Sequence, residues 1–142
     1  MVKLRRTPSE PEWLDVGHGI GLLCQLFDPL ADMAAGRAAI RAYQSDGGET
    51  AADVEETVAL ARAAVTDWRG IDEPFSDDAL EVMLRQGIVD DDGRAHMIIL
   101  TFKLAFAMAR DRWRAEGEAF AAAPNGTTSA AAGVNSAPAV LQ

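Results

Sequence analysis

Val65-Thr66-Asp67-Trp68-Arg69-Gly70-Ile71-Asp72-Glu73-Pro74-Phe75-Ser76 stands at the middle of the chain, and the fold class follows from how it is read. Upstream, Val54, Val58, Ala61, Val65 and Trp68 recur at helical spacing, so the periodicity predicts one amphipathic helix capped by Thr50 and running into Trp68. Gly70 reads as its stop, because glycine takes the positive φ of a helix C-cap without steric cost. Ile71 and Phe75 are apolar anchors in a loop otherwise made of Asp72, Glu73 and Pro74. Ser76 then caps a new helix whose first turn holds Asp77 and Asp78, where acids favour the positive end of the dipole. The expectation is a helix-loop-helix corner in which Trp68, Gly70, Ile71 and Phe75 pin the loop to the core.

Working outward, residues 1–12 form a basic-then-acidic arm broken by Pro8 and Pro11. Residues 13–16 and 20–27 suit two short strands around the turn Gly17-His18-Gly19, with a helix over 20–27 as the competing reading. Asp28-Pro29 is a helix start, a capping acid followed by proline at the first helical position. That helix extends to about Tyr43 and carries Met33, Gly36, Ile40 and Tyr43 on one face, where Gly36 would admit a close neighbour. Residues 45–49 read as a loop. After the corner, Leu80, Met83 and Leu84 face inward on a short helix ended by Gly87; Ile88-Val89 is an apolar connector, and residues 90–93 form an acidic turn.

The last helix is expected over residues 94–120. Ile98, Phe102, Ala105, Ala109 and Trp113 make one row and Met97, Leu100, Leu104 and Met108 a second, with Thr101 and Lys103 the polar residues between 97 and 109. A helix apolar around most of its circumference must bury most of it. Either it is the central helix of the domain or part of it meets another subunit. Met97, Leu100, Leu104, Met108 and Trp113 are therefore the candidate surface for a partner or for self-association. From Pro124 onward the chain is uncharged and without periodicity, which predicts a flexible tail. The fold class expected is mainly α, about four helices with a short N-terminal β-hairpin, in a single domain over 1–122 followed by a low-complexity tail over 123–142.

Composition narrows the function. The chain has 142 residues with 22 acids against 13 bases, a net charge of -9. Such acidity disfavours a nucleic-acid backbone as partner. Cys24 is the single cysteine and sits in an apolar run, as a small buried hydrophobe rather than a nucleophile. No signal peptide is evident, and the run 97–109 is too short to span a bilayer. His18 and His96 have no partner at metal-ligand spacing; there is no phosphate loop, dinucleotide fingerprint, calcium loop or Ser-His-Asp spacing. No cofactor, metal, membrane or catalytic role is expected. Charge is segregated: residues 72–92 hold eight acids and one base, residues 103–114 four bases and one acid. Opposed edges of this kind suit head-to-tail contacts between identical subunits, which build rings or open spirals.

One family resemblance attaches to these residues. Val65, Asp67, Trp68, Gly70, Ile71, then Pro74, Phe75, Ser76 and Leu80, form a pattern similar to that of the tail assembly chaperones of long-tailed bacteriophages of the lambda type. Residues 11–20 and 116–127 agree in outline. The resemblance implies a non-enzymatic protein of the host cytoplasm. It would coat the tape measure protein, a long helical chain with apolar stretches, and help bring tail tube subunits to it. It also implies that a frameshifted longer form can exist, with the tail after Phe120 as tether. Readings from other classes are an acidic inhibitor of a host protein and a structural virion component such as a connector.

Overall fold

A computed structural model describes residues 1–4 and 10–122, with only the backbone described at Asp46 and residues 119–122. The tail expected over 123–142 lies outside the described residues. Two compact units are present: a body, Ser9–Ala109, and a second unit combining Met1–Pro8 with Arg110–Gln142. The body holds a three-stranded antiparallel sheet in the order β1-β2-β3, a two-stranded hairpin and the helices that pack with them.

β1 (Glu12–Asp15) and β2 (Gly21–Cys24) form the expected hairpin, so the helix alternative for residues 20–27 falls away. Its turn is closed by the Gly17 amide donating to Asp15 Oδ1 at 2.8 Å and by the Ile20 amide donating to the Gly17 carbonyl at 2.9 Å. Gly17, His18 and Gly19 all take positive φ, 86°, 56° and 76°, a run that flanking glycines make accessible. Leu14 and Leu22 are paired and buried, while Trp13 and Leu23 share the opposite face.

The third strand corrects the sequence reading of the central stretch. The helix α2 (Gly48–Ala64) ends before Val65, and Val65–Arg69 is β3, paired with β2. The register sets Leu22 opposite Trp68 but Cys24 opposite Val65, so Thr66 is the extra residue of a bulge. That bulge lets Val65 and Trp68, three residues apart, both reach the core, at 2% and 8% exposure. Three-residue spacing is also helical spacing, which is why the row from Val54 to Trp68 read as one helix. Two β-branched residues in a row and an open edge of β2 favour the strand. Gly70 does take positive φ, 84°, but it ends a strand; a Cβ there would run into the Gly19 carbonyl.

α1 (Pro29–Ala42) begins as expected, with Asp28 Oδ1 accepting from the Leu30 amide at 3.0 Å. A π-helical turn, Tyr43–Gly47, replaces the expected loop and leads into α2, whose start is Gly48 at φ 67° rather than a Thr50 cap. α1 packs along α2 through small side chains, Ala31, Ala35 and Ala42 being buried. The face with Met33, Gly36, Ile40 and Tyr43 therefore points outward. α2 buries Thr57, Val58, Ala61 and Ala64, and the Thr57 hydroxyl is satisfied by the Asp53 carbonyl at 2.7 Å.

α3 (Asp77–Gln86) is capped by Ser76, whose Oγ accepts from the Ala79 amide at 3.0 Å, and buries Leu80, Met83 and Leu84. The connector and the beginning of the expected last helix form instead a hairpin of β4 (Ile88–Val89) and β5 (Ala95–His96). Asp90 Oδ1 accepts from the amides of Asp92 at 3.0 Å and Arg94 at 2.9 Å, holding these residues in a turn and delaying the helix. The last helix, α4 (Ile99–Ala122), starts five residues later than Arg94. Phe102, Leu22, Leu80, Leu84, Ile98, Val16 and Cys24 are the largest fully buried side chains of the core.

Candidate partner-binding surface

α4 is held to the body by one of its two apolar rows. Ile98, Phe102, Phe106 and Ala109 are buried, and the rings of Phe102 and Phe106 lie 5.6 Å apart between centroids. Lys103 Nζ pairs with Asp53 Oδ1 of α2 at 3.0 Å, which fixes the rotation of α4. The second row is left outside: Met97, Leu100, Leu104 and Met108 are 57%, 63%, 56% and 67% exposed. Leu100, Leu104 and Met108 share one side of the helix, whereas Met97 precedes α4 and has its Sδ beside Gly87. Trp113 is not among them; it lies in the second unit, and its helical phase is that of the buried row.

Three large side chains on one exposed helix face, with an exposed methionine just before the helix, form an apolar strip, whereas scattered single exposures need no explanation. Two of the four are methionines, whose unbranched, polarizable side chains adapt to irregular apolar surfaces. The strip can therefore accept the apolar face of a helix laid alongside it.

The residues of the central corner are also placed. Trp68 Nε1 donates to the Glu73 carbonyl at 2.8 Å, and its ring meets Phe75 edge-on, centroids 5.4 Å apart. Ile71 and Phe75 are half-buried. On the outer face of the sheet, the Arg69 guanidinium lies 4.4 Å over the Trp13 ring. Trp68, Ile71 and Phe75 thus tie the loop 70–76 down, while Gly70 permits the chain to pass against Gly19.

The expected charged edges are partly paired within the chain. Arg85 makes a two-pronged pair with Glu55 at 2.6 and 2.8 Å and a bond to Glu81 at 2.8 Å; Arg62 bonds Glu81 at 3.0 Å and Asp78 at 3.2 Å. The Arg85 bonds hold the Glu55 carboxyl below its ordinary range and push the Arg85 guanidinium up. On the other edge, Lys103 and Arg114 are paired within the chain, and Arg110 and Arg112 are engaged as well. Each base of the run 103–114 thus has an interaction within the chain. Arg37 and Arg41 on α1 are the helical arginines without a hydrogen bond or ion pair among the described residues.

One juxtaposition was invisible in the sequence. His18, in the β1–β2 turn, and His96, in β5, stack with ring centroids 4.2 Å apart, and His96 Nε2 lies 2.7 Å from Asp90 Oδ2. The His96 bond, then the turn amides, hold the Asp90 carboxyl below its ordinary range. Neither ring is hydrogen-bonded to a hydroxyl or thiol among the described residues, so the cluster presents no activated nucleophile. Among the described residues no group of three or more His, Cys, Asp or Glu could hold a metal ion. Cys24 is buried, and burial, then the charge of Glu12, pushes its thiol up to about 12. No helix among the described residues is long and apolar enough to cross a membrane.

No protein-family model, curated protein or solved structure matches the chain.

Proposed function

We propose that the chain is a non-enzymatic tail assembly chaperone of a long-tailed bacteriophage, working in the host cytoplasm as a homo-oligomer. Its client is the tape measure protein, and through it the tail tube protein. The observation that supports this most is the exposed row Leu100, Leu104 and Met108, with Met97 just before it, on a helix whose other face is anchored in the core. A chaperone for an apolar helical client must keep apolar surface in water and remain soluble. The row supplies the surface, and a net charge of -9 supplies the repulsion that opposes non-specific aggregation. The client's apolar face would lie along the row as one amphipathic helix along another.

Co-expression with the tape measure protein from the same phage tests this. The chain should keep that protein soluble and copurify with it, and Leu104→Asp or Met108→Asp should abolish copurification while leaving the chaperone folded. A tape measure protein equally soluble alone, and never copurifying, rejects the reading in favour of an inhibitor or a virion component.

A further inference from the structure

The outward face of α1 is unexplained by the monomer. Glycine is among the poorest residues for a helix interior, yet Gly36 stands in the middle of α1. Nothing in the chain requires it: a Cβ at that position would meet no atom within 4 Å. Around it, Met33 is 53% exposed, Ile40 59% and Tyr43 60%. Met33, Gly36, Ile40 and Tyr43 recur at spacings of three and four, the seam of a two-helix contact, and glycine in such a seam lets backbones approach closely. Arg37 follows the seam on one flank and Asp32 precedes it on the other.

We propose that this face binds the same face of a second copy of the chain, α1 against α1 in parallel, about a twofold axis along the seam. Charge decides both the partner and the direction. In a parallel pair the residue before the seam on one helix meets the residue five positions later on the other, so Asp32 of each copy meets Arg37 of its mate. In an antiparallel pair, like flanks meet and Arg37 would face Arg37. Arg37 has no hydrogen bond or ion pair among the described residues, while Asp32 also keeps an interaction within its own chain. The face is self-complementary layer by layer: methionine on methionine, glycine on glycine, isoleucine on isoleucine, tyrosine on tyrosine. The contact is separate from the α4 row, so it leaves that row open and does not depend on what the row binds. A seam of about three turns buries less than a standard interface, so the dimer is weak, with a dissociation constant on the order of 10–100 µM.

Sedimentation equilibrium from about 10 µM to 1 mM should show a monomer–dimer equilibrium. Met33→Glu and Ile40→Glu should each leave a monomer whose unfolding midpoint equals that of the wild-type chain diluted well below its dissociation constant, because both side chains are exposed. Arg37→Glu should weaken the dimer about tenfold, the order expected when the two symmetric charge pairs are both lost, and adding Asp32→Lys should restore it. Cys24 is buried, so a single new surface thiol reports proximity. Oxidised Met33→Cys should form a disulfide-linked dimer, whereas Val82→Cys on α3, also exposed, should not. The proposal is overturned if the protein is monomeric throughout. It is also overturned if Leu104→Glu, and not Ile40→Glu, dissolves the dimer, or if Asp32→Lys deepens the Arg37→Glu defect. An unfolding midpoint in the Ile40→Glu monomer below that of the diluted wild-type chain would mean that the chain itself covers the face, and overturns it as well.

Discussion

Removing the Trp68 ring should cost the body a large part of its stability. The ring is 8% exposed, lies edge-on to Phe75 and spends its one polar atom on the Glu73 carbonyl. Trp68→Ala deletes that burial and leaves a cavity between β3 and the loop, a loss of about 3–5 kcal/mol. Against a total of roughly 5–15 kcal/mol for a domain, the variant would be marginally folded. Trp68→Phe keeps much of the ring contact but loses the indole bond, so about 1–2 kcal/mol is expected. With a urea slope of about 1–3 kcal/mol per molar, the alanine variant's midpoint should fall by on the order of 2 M, and the phenylalanine variant's by well under half of that. Helical circular dichroism is the appropriate signal, because Trp13 and Trp113 would obscure a fluorescence change. A double-mutant cycle with Phe75→Ala should return a coupling of about 0.5–1.5 kcal/mol for the edge-on pair. An alanine variant shifted by less than about 0.5 M would refute the account, since a ring so placed cannot be lost without leaving a void.

Other consequences are as direct. Phe102→Ala, on the inward row of α4, should cost about 3–5 kcal/mol, whereas Leu104→Asp on the outward row should cost less than about 1 kcal/mol, both read from urea midpoints. Gly70→Ala and Gly93→Ala both force alanine to positive φ, at about 1–2 kcal/mol, but only the first sets a Cβ against the Gly19 carbonyl, so its urea midpoint should be the lower of the two. Acid should destabilise the body. The folded-state carboxyls of Glu55 and Asp90 lie below their ordinary values, so their contribution is present above the unfolded carboxyl range near pH 4 and is lost as pH falls through their lower folded values. Unfolding midpoints between pH 6 and pH 3 should show that loss, and Arg85→Met should remove the Glu55 part of it.

Where local chemistry dominates, the sequence was legible. Asp28-Pro29 and Ser76 cap α1 and α3 through their own side chains, and the glycines around His18 mark a hairpin before any partner is known. The rows of α4 were legible in part: periodicity found Ile98, Phe102 and Ala109 inward and Leu100, Leu104 and Met108 outward, but it missed the buried Phe106 and carried the helix back over Met97. The misreadings share one cause: a nonlocal partner. β3 has helical spacing only because a bulge opposite Cys24 turns Val65 and Trp68 the same way, and that bulge exists through pairing with β2. On α1 the periodicity marked the shared face of Met33, Gly36, Ile40 and Tyr43 without saying which side is buried. Yet small residues suit the close packing on α2, and Ala31, Ala35 and Ala42 take the inward places. The contact of His18 with His96 joins two turns far apart in the chain, so no spacing rule could have found it.

The two outward rows differ in what holds the helices beneath them, and the two proposals give them different work. α4 is anchored by Phe102, Phe106 and Ile98, each worth about 1.5–3 kcal/mol when fully buried, so its outer row can meet a partner without disturbing the fold. That suits a site that must bind and release a client repeatedly. α1 packs along α2 through alanines, and its larger side chains on the outer face are left more than half exposed. A second copy on that face would link self-association to folding by mass action. A client row on α4 and a self-association row on α1 would let copies gather along a long client while each keeps its binding surface free.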